Sequence, residues 1–111
     1  MSLTEITHGQ RAGWQRRAAA ELAAILAAHR NLPVIAWTLG PAGATLVGNV
    51  NSLAPAEQVR GVFNAWRAAL RLTEHSQTTS GGGTVYLRAV AHRNRVRLAL
   101  TAAVFEDEGE G

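Results

Sequence analysis

The sequence predicts an α+β fold in the order α-β-β-α-β-β, a four-stranded antiparallel sheet with two helices packed on one face. Three observations carry this expectation. A long segment with apolar positions at helical spacing is followed by a two-stranded pattern, and the same succession is written a second time before residue 105. Each two-stranded pattern is interrupted by turn chemistry, Gly40-Pro41-Ala42-Gly43 in the first and Arg93-Asn94 in the second. The chain has 111 residues, enough for one domain to bury a core without staples. Residues 1–8 read as an N-terminal arm, 9–105 as a single α+β domain, and 106–111 as an acidic, disordered tail with nothing to bury.

Thr7 and Gln10 have the spacing of a capping box, which starts a helix near Gly9. Trp14, Ala18, Leu22, Ile25, Leu26 and His29 then recur every three or four residues and form its apolar stripe. Pro33 ends the helix, because it disfavours the helical conformation in the residue before it. Val34–Leu39 and Ala44–Val50 alternate as strands. Pairing Leu39 with Ala44 puts Ile35, Trp37, Leu39, Ala44, Leu46 and Gly48 on one face. The other face carries Val34, Ala36, Thr38, Thr45, Val47 and Asn49.

Pro55, read as the first helical residue, and Glu57 mark the second helix start. Val59, Val62, Phe63, Trp66, Leu70 and Thr73 are its stripe. The polar run His75 to Gly83 reads as a mobile loop. Residues 84–105 form the second hairpin. Pairing Ala91 with Val96 gives one wholly apolar face, Val85, Leu87, Ala89 and Ala91 against Val96, Leu98, Leu100, Ala102 and Val104. All three tryptophans are expected in the core.

Composition narrows the function classes. There are no cysteines, which removes disulfides and thiolate metal sites and fits a reducing, cytoplasmic setting. No apolar run reaches the roughly 18 residues of a membrane span, so no membrane partner is expected. All 11 basic residues are Arg. Four of the eight acids fall after residue 105, so residues 1–105 hold 11 Arg and 4 acids, a net charge of 11 − 4 = +7.

One constellation has the residue types of a binding surface. Tyr86, Arg88, His92, Arg95 and Arg97 fall on the outer face of the second hairpin, with Arg93 in its turn. Arg presents a planar fork to phosphate, and an aromatic among arginines can stack a base. The competing reading is a solvated sheet face that needs charge to avoid edge and face association. Val34, Ala36 and Val47 make the face half apolar, which suits a twofold dimer contact.

Other candidates fail on geometry. The four histidines lie at least 17 residues apart, so no metal site is expected. If the second helix extends to Glu74-His75, adjacent residues there point about 100° apart and do not face one another. Ser80-Gly81-Gly82-Gly83-Thr84 is Gly-rich but lacks the Lys of a phosphate loop and precedes a strand. No catalytic residue and no cofactor is expected.

The run Leu32-Pro33-Val34-Ile35-Ala36-Trp37-Thr38-Leu39-Gly40, with Gly43-Ala44-Thr45-Leu46-Val47-Gly48 and Phe63-Asn64-Ala65-Trp66-Arg67-Ala68-Ala69-Leu70, resembles small proteins of Streptomyces-type actinobacteria, which bring no known activity with them. The element order is also similar to that of pterin-4a-carbinolamine dehydratases, which share α-β-β-α-β-β and assemble through their sheets. Their His-His-Pro motif falls near Glu74-His75-Ser76, where the second His and the Pro are absent, as is their last helix. That likeness implies a shared fold alone.

The resulting expectation is a non-catalytic interaction or regulatory module, dimerising through its open sheet face and meeting a protein partner there. A nucleic-acid-binding accessory protein using the basic hairpin face is the alternative. A small-ligand binder or pterin-dehydratase-like enzyme using His75 is the third.

Overall fold

The computed structural model describes residues 7–40 and 43–105. Its elements are α1 (His8–Ala28), β1 (Ala36–Leu39), β2 (Thr45–Asn49), α2 (Ala56–Leu70), β3 (Glu74–Thr79), β4 (Thr84–Arg93) and β5 (Val96–Phe105). The strands form one sheet in the order β1-β2-β5-β4-β3. Neighbours are antiparallel except β2 and β5, which run parallel. The class is therefore α+β with two helices, as expected, but the sheet is five-stranded and mixed. The two halves are not equal repeats, because the second contains three strands.

The additional strand is β3, the segment read as a mobile loop. Every residue from Glu74 to Thr79 is exposed, so no apolar alternation marks it. Its backbone is nonetheless paired from Glu74 opposite Val90 to Thr79 opposite Val85. Ser80 closes the connection to β4: its amide donates to the Thr84 carbonyl at 2.8 Å, and its Oγ accepts from the amides of Gly82 and Thr84, both at 3.3 Å. The Gly-rich segment is a hairpin loop, with Gly83 at φ 88°.

The first helix begins with the expected capping box. Gln10 N donates to Thr7 Oγ1 at 3.1 Å, and Thr7 N donates to Gln10 Oε1 at 2.9 Å. Its buried positions are Ala18, Glu21 and Ile25, with Trp14, Leu22 and His29 half-buried and Leu26 exposed. The contact stripe is thus turned toward Glu21. In α2, Pro55 is the N-cap, one position earlier than read, and Val59, Phe63, Trp66 and Leu70 are buried. The helix ends in a Schellman arrangement: Arg71 N donates to Ala68 O and Leu72 N to Arg67 O, with Arg71 left-handed at φ 55°.

Both hairpins keep the expected faces with a pairing offset. Leu39 lies opposite Leu46, and the register is set at the turn, where Gly40 N donates to Thr45 O at 2.8 Å. Arg93 lies opposite Val96 and Ala91 opposite Leu98. The turn is therefore Asn94-Arg95, both at positive φ (51° and 65°), a two-residue type I′ connection whose twist matches the strands. Each slip is by two residues, which exchanges partners but not faces.

The helix-side face of the sheet, Leu46, Leu87, Val96, Leu98, Leu100 and neighbours, forms one core with Ile25 and Phe63. Each fully buried large side chain there contributes on the order of 1.5–3 kcal/mol. Trp66 is buried, donates Nε1 to the Pro33 carbonyl at 2.8 Å, and packs edge-on to Trp37 with ring centroids 5.5 Å apart. Trp37 is half-buried against this core, while Trp14 stands outside the cluster. Trp37 lies opposite Gly48, where a Cβ would come within 3.0 Å of the indole and 2.9 Å of Ile35 Cδ1. Gly48→Ala is expected to destabilise the fold by about 1–3 kcal/mol. Urea unfolding checks this as a lowered midpoint at constant slope.

Candidate functional site

Among the described residues, no element covers the face of the sheet opposite the helices. Strand pairing lays its side chains out in rows across the strands. Thr45, Arg97 and His92 form one row; Thr38, Val47, Ala99, Val90 and Glu74 the next. Ala36, Asn49, Thr101, Arg88 and Ser76 follow, then Ala103, Tyr86 and Thr78. Phe105 and Thr84 close the array.

The expected residues divide between three places. Tyr86, Arg88, His92 and Arg97 do share the open face. Arg95 sits in the β4–β5 turn, left-handed, at the rim of that face. Arg93 belongs to the helix side: its Nη1 donates to the Leu70 carbonyl at 3.3 Å and its Nε lies 3.6 Å from Glu21 Oε2. Its odd position in β4 places it on the same face as Ala89 and Ala91.

On the open face Val90 and Ala99 are only 6% and 4% exposed although no element lies over them. Arg88 and Arg97 border Val90 in a shallow depression of about 320 Å³ that also includes Glu74 and Ser76. Their long side chains account for the cover, since arginine stems pack on apolar surface while the charged ends stay in water. A second depression of about 350 Å³ is bordered by Asn49, Tyr86, Arg88, Thr101 and Ala103. Arg88 thus stands between the two. Tyr86 and Phe105 are 51% and 55% exposed. Among the described residues, neither Arg88 nor Arg97 has a carboxylate within ion-pair distance. Thr101 Oγ1 donates to Asn49 Oδ1 at 2.7 Å, which fixes the middle of the face.

Glu74 and His75 are neighbours on a strand, so they occupy opposite faces of β3. The His75 ring is 5.9 Å from Phe63 on the helix side, while Glu74 faces outward. Among the described residues no three His, Asp or Glu side chains gather as a metal-ligand set. Nor is any described helix long and apolar enough to cross a membrane. The segment 106–111, read as a tail, lies outside the described residues. No protein-family model, curated protein or solved structure matches the chain.

Glu21 is the residue that the sequence pattern hides. It is 6% exposed, accepts a hydrogen bond from Asn94 Nδ2 at 2.9 Å, and faces Arg93. One carboxylate on α1 therefore holds both Arg93 and Asn94 at the end of the β4–β5 hairpin. The available signal is its spacing, three residues after Ala18 and four before Ile25, inside the apolar stripe. Glu21→Ala leaves Asn94 and Arg93 without their acceptor and is expected to cost about 1–3 kcal/mol. Amide exchange at Asn94–Val96 should rise more than exchange in β2, a contrast measurable by NMR.

Proposed function

We propose that the chain is a non-catalytic interaction module that works through the open face of its sheet and self-associates there. The observation that carries this reading is the meeting of exposed aromatics, Tyr86 and Phe105, with Arg88 and Arg97, which have no carboxylate partner among the described residues, on one open surface. Buried contact centres favour aromatic residues and Arg, with charge left at the rim. A twofold contact between two such faces covers the aromatics of both copies while the arginines stay near solvent. The opposite orientations of Glu74 and His75 support the non-catalytic part, because an acid–base pair needs both groups within reach of one substrate atom.

The same face gives a second reading, nucleic-acid binding. Arg88, Arg97 and His92 lie in rows beside Tyr86, which matches a phosphate-contacting surface with one stacking ring. The two readings separate in solution. Self-association predicts a dimer at about 100 µM protein by sedimentation, weakened roughly 10-fold or more by Tyr86→Ala. A monomer at that concentration overturns it. Nucleic-acid binding predicts that a labelled single strand is bound at about 50 mM salt, that affinity falls steeply by about 200 mM, and that Arg88→Glu flattens the salt slope.

A further inference from the structure

We infer that the cleft where α2 gives way to β3 is a binding site for a phosphate-sized oxyanion. The cleft has a volume of about 620 Å³ and is bordered by His29, Leu70, Arg71, Thr73, His92 and Arg93. It lies at the sheet rim, shares no bordering residue with the two depressions of the open face, and does not rest on the function proposed above.

Topology makes the cleft. The β3–β4 ladder begins at Glu74 opposite Val90, whereas β4 continues to Arg93, so the last three residues of β4 have no strand along that edge. The direction of the free backbone groups follows from the ladder. Arg97 N donates to Ala44 on the β2 side, so Val96 and Leu98 face β4 and bond with Arg93 and Ala91. Alternation then turns the His92 amide, together with its carbonyl, away from β5 and toward the cleft, where the amide is the group an anion can use.

Side chains add complementary charge. Arg71 is exposed and left-handed at φ 55° in a position that glycine fills most comfortably, a local cost that points from an observed outlier to a role. Its guanidinium has no partner among the described residues. Arg93 is held by Leu70 O at Nη1 and by Glu21 at Nε, which balances its charge and leaves its Nη2 donors in a fixed position. Thr73 supplies a hydroxyl donor and His29 an imidazole.

Two opposing features are partly offset. The carbonyl end of α2 disfavours an anion, and three of its last four carbonyls are engaged: Ala68 and Arg67 accept from Arg71 N and Leu72 N, and Leu70 O accepts from Arg93. Glu21 is buried and engaged by Asn94 and Arg93, and Glu74 borders the depression on the open face instead. The remaining donors are a guanidinium fork, a hydroxyl, an imidazole and a backbone amide. That set fits a tetrahedral oxyanion, and the volume leaves room for the group that carries a phosphate monoester.

The test is an NMR titration of the full chain with inorganic phosphate, against chloride at matched ionic strength. Saturable shifts are expected at the Thr73 and His92 amides and at Arg71 Nε–H, half complete near about 1 mM. Arg71→Gly keeps a residue suited to the left-handed conformation, so it should fold and bind phosphate at least about 10-fold more weakly. Arg71→Gln, confirmed folded by circular dichroism, should behave alike, and Arg11→Gln, exposed at the far end of α1, should leave the titration unchanged. The inference is overturned by shifts that do not saturate, by shifts confined to the rows of Arg88 and Arg97, or by saturable shifts that survive both Arg71 variants.

Discussion

The parallel seam between β2 and β5 is the constraint on which the rest of the architecture depends. β1 with β2 is a local hairpin, and β3, β4 and β5 are a local meander. Only the rows from Thr45 opposite Arg97 to Asn49 opposite Thr101 join them into one sheet. A parallel pair needs a long connection, and here it consists of α2 followed by β3 and β4. Leaving β2 for the far edge of the sheet, the chain must pass over β5, which lays α2 on the centre of the core. The apolar stripe of α2 and the near-continuous apolar inner row of β5 are two sides of that one requirement. Because the seam joins residues about fifty positions apart, its loop-closure entropy is met only when α2 and the meander are in place.

Central position also explains the composition of β5 on its outer side. Its outward residues are Arg97, Ala99, Thr101 and Ala103 before Phe105, so the middle of the open face is low and small. Arg88 from β4 and Arg97 from β5 stand around it. Small residues between tall ones produce shallow depressions without any covering element, and the arginine stems bury the intervening Val90. The surface is therefore a β-sheet floor with long charged side chains at its borders.

Much of this was readable in the residues, and the failures have distinct physical causes. The capping box, both helices, four of the strands and both faces of each hairpin follow from periodicity and turn chemistry. Those signals are local and set which side of an element is apolar. Pairing partners shift by two because alternation determines a face but leaves even-numbered slips degenerate; the positive φ at Asn94 and Arg95 resolves one, and the Gly40–Thr45 hydrogen bond the other. β3 escaped because an edge strand exposed on all six residues has no buried side to show. The parallel seam escaped for a different reason: nothing in β2 or β5 alone distinguishes a parallel neighbour from an antiparallel one. Of the site, Tyr86, Arg88, His92 and Arg97 were legible as one outward row pattern, whereas Arg93 was assigned to the turn it in fact precedes.

Glu21 shows how the last of these errors and the fold are connected. A carboxylate in the middle of an apolar stripe is unfavourable unless a partner meets it, and the partners are 72 and 73 residues away at the hairpin end. Once Arg93 turns inward to meet it, β4 is fixed in the parity that sends His92 and Arg88 outward. The same inward turn carries Arg93 to the carbonyl end of α2, next to Arg71. One buried acid thus divides the arginines of this hairpin, with Arg88 and Arg97 outward on the open sheet, Arg93 inward at the helix end and Arg95 in the turn between them. The basic character that the sequence presents as a single cluster is, in three dimensions, shared between two sides of the sheet.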